Sequence, residues 1–138
     1  MGAWSPEPFG NDSALDWAQD LLESDGPAFL AATFETVLEE EGEYLDAELG
    51  EVGLAAAEVL ARLLGKPLPG SELPETLAQW LAGPGREVEV DAGLRAQALA
   101  ALERIAGNAS ELHELWAETD ALGEWLAQVK ALRAALGG

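Results

Sequence analysis

Twenty-six carboxylates and a single histidine define the chemistry open to this chain. Asp12, Asp16, Asp20 and Glu23 recur at a spacing that gathers them in one sector of a helix. Glu39, Glu40, Glu41, Glu43, Asp46, Glu48 and Glu51 form a second run. Carboxylates grouped like this can hold a cationic protein, ligate a hard divalent ion, or act as acid and base where burial drives their pKa values apart. The spacing tests the metal option. With Gly42 as the sixth residue of a calcium loop, Glu39, Glu41 and Glu48 take the third, fifth and twelfth places, but the first falls on Val37, which has no ligand atom. The run therefore reads as a solvated acidic turn, and neither a metal ligand nor a cofactor is expected.

His113 would have to serve most acid-base, nucleophilic or metal chemistry. Ser110 and Ala109 stand three and four residues before it, Trp116 and Ala117 three and four after, so no second ligand shares its helix face. Five serines, at 5, 13, 24, 71 and 110, are available as nucleophiles, but none lies in a Gly-x-Ser-x-Gly elbow. His113 is expected as a partly exposed helix residue beside Trp116. Glu58 is the carboxylate most open to perturbation, because its helix is the most apolar one, and Arg62 one turn later would hold it ionised. No catalytic residue is assigned.

These side chains must be carried by a chain of 138 residues, 49% of them apolar and none of them cysteine. Disulfides, thiolate zinc sites, iron-sulfur clusters and thiol nucleophiles are thereby excluded. The length fits a single domain, 1–138, with a core that needs no covalent staple. GxGxxG and P-loop signatures are absent. Ala, Leu and Glu dominate, β-branched residues are few, and Gly or Pro recurs at short intervals, so the expected class is all-α: six to seven short helices around a central one. The first helix is capped by Asn11 or Asp12 and runs to about Ser24, with Ala14, Leu15, Trp17, Ala18, Leu21 and Leu22 at helical spacing. Pro27 opens a second, with Leu30, Phe34, Val37 and Leu38 inward and an end near Gly42. A third, about 51–64, is apolar except for a narrow sector of Glu51, Glu58 and Arg62, and is placed in the middle. A short helix follows Pro74. Arg86 to Val90 alternates like a strand but has nothing to pair with, so it is expected as extended loop. Asp91, Ser110 and the stretch from Leu122 open three more.

At Gly2-Ala3-Trp4, Phe9, Asn11-Asp12, Ala14 and Asp16-Trp17 the chain resembles the opening signature of a bacterial family, domain of unknown function 4259. The likeness continues through Leu54 to Leu60, Leu73-Pro74-Glu75, Trp80, Ser110-Glu111-Leu112, Glu114-Leu115-Trp116 and Glu124-Trp125. The resemblance implies kinship, with no activity attached. Ser5 and Glu7 stand where that family usually has glycines, which argues against a phosphate-cradling loop. Trp4, Phe9, Asn11 and Trp17 are read as structural: aromatic anchors and a helix cap.

Charge distribution carries the functional expectation. Residues 1–61 hold 15 acids and no Lys or Arg, whereas 62–138 hold 11 acids and all 7 bases, within a net charge of -19. A field of one sign repels nucleic acid and anionic membrane and attracts basic protein. The expected function is a non-enzymatic interaction or regulatory protein that presents Asp12, Asp16, Asp20, Glu39, Glu40, Glu41 and Glu43 to a basic partner. The alternatives are a small carboxylate enzyme or divalent-metal protein built on Glu58, Asp12, Asp16 and His113 near Trp4 and Trp17, and a domain whose acidity serves solubility alone. No apolar run reaches membrane-span length and the opening residues do not resemble a secretory signal, so a cytoplasmic location is expected. Oligomeric state is left open.

Overall fold

The computed structural model describes residues 8–39, 44–68 and 73–137. Seven α-helices are described: α1 (Asp12–Leu22), α2 (Gly26–Glu39), α3 (Ala47–Leu63), α4 (Glu75–Ala82), α5 (Ala92–Ala106), α6 (Glu111–Ala117) and α7 (Leu122–Ala135). A single 3-10 turn, Pro84–Glu87, lies between α4 and α5. The all-α class therefore holds.

Side-chain caps start four of the helices where a short polar residue precedes an apolar period. Asn11 Oδ1 accepts from Ala14 N at 2.7 Å, Asp46 Oδ1 from Leu49 N at 3.0 Å, Asp91 Oδ1 from Leu94 N at 2.7 Å, and Ser110 Oγ from His113 N at 3.4 Å. At the other end of α3, Gly65 has φ +77° and completes a Schellman motif. Lys66 N donates to Ala61 O (2.9 Å) and Gly65 N to Arg62 O (3.0 Å), which satisfies carbonyls that the last turn leaves open.

α3 is the axis of the bundle. It packs against α1, α2, α5, α6 and α7, and Ala55, Ala56, Ala57 and Ala61 are fully buried. Small side chains let five neighbours approach one helix. α2 and α5 touch each other as well as α3, α1 lies on α3 and reaches α2 and α4, and α6 and α7 close the far side. Trp125, Phe34, Leu30, Leu60, Leu77, Leu102 and Leu132 fill the core.

Four expectations are corrected. α3 begins at Ala47, not at 51, because Asp46 caps it, so Asp46 and Glu48 belong to a helix start rather than to a loop. Much of the polar sector of that helix is also covered: Glu51 is 5% exposed and Glu58 is wholly buried, since five helices pack against α3. Arg86 and Glu87 lie in the 3-10 turn, and only the stretch after them is extended. In α2, Thr33 is buried and Leu38 only half-buried, because Thr33 is drawn inward by a hydrogen bond to Trp17.

One further connection bears on the surface. Leu45 is fully buried and pairs in parallel with Ser110: its N–H donates to Ala109 O at 2.9 Å, and Glu111 N–H donates to Leu45 O at 2.9 Å. Glu111 Oε1 then accepts from Ala47 N at 2.8 Å. The segment entering α3 is thus tied to the start of α6, 64 residues on.

Candidate functional site

The i, i+4 spacing of Asp12, Asp16 and Asp20 leaves all three exposed along α1, while Ala14, Trp17, Ala18 and Leu21 face the core. Because α1 lies on α3, and α3 starts a turn early, Glu48 meets this face. Ser13, Asp16, Trp17, Asp20, Glu48 and Val52 line a shallow concavity of about 270 Å³ between the two helices. Three carboxylates contribute to its walls and no Lys or Arg does. Trp17 and Val52 supply apolar surface.

Glu51 lies one turn along from Glu48, buried where α3 meets α1. Burial raises its pKa. A hydrogen bond from Ser13 pulls the other way, and the charges of Glu48 and Asp12 raise it further. Glu58, wholly buried, accepts from Arg62 Nε at 3.2 Å, the i, i+4 pairing expected from their spacing.

A wider concavity of about 450 Å³ between α2 and α5 includes Glu89 and Asp91, but Asp91 is already engaged as the α5 cap. Among the described residues no group of three or more His, Asp or Glu side chains is placed to hold a metal ion. No described helix is long and apolar enough to cross a membrane.

The family model for a domain of unknown function, DUF4259, matches residues 2–128. The chain belongs to that family. No curated protein and no solved structure matches it. In this DUF4259 chain, part of the opening motif can be placed. Phe9 and Trp17 are buried, Trp17 Nε1 donates to Thr33 Oγ1 at 2.9 Å, and its ring lies 5.6 Å from that of Phe29. Asn11 caps α1 and donates through Nδ2 to Pro8 O at 3.4 Å. Trp4 lies outside the described residues, as do Glu40, Glu41 and Glu43; Glu39 ends α2, exposed and away from the α1–α3 concavity.

His113 does not join the carboxylates. Its Nδ1 lies 2.8 Å from Ala106 O and 3.2 Å from Gly107 O, and its ring is 5.7 Å from Trp125. Two carbonyls around Nδ1 require the proton there, so the ring donates to the end of α5. His113 is partly exposed, as expected, and the packing of α6 on α7 adds Trp125 as a neighbour of its ring.

Ser13, Glu48 and Val52 were not foreseen in the concavity. Asp46, three residues ahead of the amide it caps, was the signal for an earlier α3 start and hence for Glu48 on its exposed first turn.

Proposed function

We propose that this DUF4259 chain is a non-enzymatic interaction or regulatory protein that holds a basic protein partner on the acidic α1–α3 groove. The observation that carries this function is the lining of the groove, where Asp16, Asp20 and Glu48 converge without a basic side chain among the residues that form it. The first 61 residues, which supply every group of that lining, contain no Lys or Arg. Repulsion among the carboxylates is therefore relieved from outside, by counter-ions or by a cationic surface. Trp17 and Val52 between the charges offer the aliphatic stem of a lysine or arginine something to lie on. Electrostatic complementarity of this kind accelerates encounter and selects the partner by sign. The protein acts in this role as a cytoplasmic, single-domain body.

The test is capture from cell lysate over a salt gradient, run in parallel with wild type and with Asp16→Asn, Asp20→Asn and Glu48→Gln combined. Basic proteins retained by wild type at low salt, released as salt rises and lost from the triple variant are the expected result. Absence of any salt-sensitive partner, or equal retention by both proteins, would remove the groove as a binding site and leave its acidity to solubility.

A further inference from the structure

Tyr44 is the single large apolar side chain that the described surface leaves exposed, at 51%. Its neighbour Leu45 is buried and tied by two backbone hydrogen bonds to the start of α6, so the backbone beneath the ring is held in place. The phenol donates to Glu114 Oε2, 70 residues away, which directs the ring toward α6. That hydrogen bond foremost, with some desolvation and the charges of Glu114, Glu111 and Glu118, pushes the phenol pKa up to about 12. The hydroxyl thus stays a neutral donor across the physiological range.

The outcome is an exposed aromatic ring tethered through its hydroxyl to α6 and flanked by carboxylates of α6 and its C-cap. A preorganised aromatic loses little entropy when a partner covers it, and Tyr is among the residues that dominate interface energetics. The electron-rich face of the ring attracts a cation, and carboxylates alongside favour one whose N–H groups reach beyond the ring edge. A guanidinium meets both requirements: it is planar, stacks, and presents donors in a fork, whereas an ammonium is a compact, strongly hydrated point charge.

Resting on the basic-partner function above, we infer that Tyr44 is the stacking platform for an arginine side chain of that partner, with Glu111, Glu114 and Glu118 receiving its N–H groups. The partner segment is arginine-bearing rather than merely cationic. Cation-π contacts at exposed sites correspond to roughly two- to fivefold in affinity.

Hexa-arginine and hexa-lysine peptides titrated calorimetrically into the full chain test this, with Tyr44→Ala and Tyr44→Phe compared at one low salt concentration. Wild type is expected to prefer hexa-arginine, Y44A to lose roughly two- to fivefold for hexa-arginine and little for hexa-lysine, and Y44F, which keeps the ring, to retain most of the preference. Circular dichroism verifies that both variants fold. Hexa-arginine binding that is unchanged in Y44A would overturn the stacking role while leaving the acidic groove intact. Failure of both peptides to bind wild type would overturn the groove function and the stacking role together.

Discussion

One buried carboxyl and one buried hydroxyl decide what single residues contribute. Glu51 is buried beside Ser13, and its folded-state pKa is raised above the unfolded value. The native state therefore holds this proton more tightly than the unfolded chain does, and the stability linked to it is full below the unfolded pKa of about 4.3 and lost as pH rises through the folded value. Glu51→Gln mimics the protonated form. Its melting temperature should exceed that of wild type at pH 7, with the gap closing as pH drops to about 4; thermal melts across that range check the sign. Thr33 Oγ1 accepts from the buried Trp17 indole at 2.9 Å and donates to Phe29 O at 2.9 Å. Thr33→Val keeps the shape but strands the indole N–H, and should cost about 1–3 kcal/mol in urea denaturation. A loss well under 0.5 kcal/mol would show that the indole finds another acceptor.

At the scale of elements, what matters is how closely the turns let helices approach. Gly85, in the 3-10 turn after α4, sits against Trp80: a Cβ there would come within 2.9 Å of Trp80 O and 2.8 Å of its ring. Backbone cannot yield as a side-chain tip can, so Gly85→Ala should destabilise by about 1–3 kcal/mol through overpacking. Gly65, by contrast, has open space around it and a left-handed backbone, so Gly65→Ala should cost about 1–2 kcal/mol for conformation alone. Chemical denaturation separates magnitudes, and mechanism shows in the near-ultraviolet signal: G85A should alter the Trp80 environment whereas G65A should not. These helices were largely legible beforehand, because caps, glycines and prolines act within a few residues of where they stand. Asn11 or Asp12, Asp91 and Ser110 each read as a helix start. α3 was placed a turn late because Asp46 sits among so many acids that its capping role was indistinguishable from surface charge.

For the molecule as a whole, a net charge of -19 is the governing quantity. Self-repulsion of the compact state is screened within about 10 Å at 0.1 M salt, so added sodium chloride should raise the melting temperature by a few degrees. Affinity for a basic partner should fall over the same interval, since the same ions compete with it. Opposite trends in melting temperature and affinity, measured in matched buffers, are the expected pattern. A melting temperature that declines with salt would mean that attractive pairs, such as Glu58 with Arg62, outweigh the repulsion.

From the order of residues alone came the helical class, most helix starts, most of the core stripes and the one-signed first half, because each is written in periodicity or composition over a few turns. Family membership was legible too, in the ordered aromatics and the Asn11-Asp12 pair. Only the tertiary structure decided that Glu48 joins Asp16 and Asp20 in one groove, that Glu51 and Glu58 are buried, that His113 serves a helix end, and that Tyr44 is held by Glu114. Helical periodicity says which residues share a face. Which helix covers that face, and what residues far along the chain come to rest beside it, depends on packing between segments that no local pattern encodes.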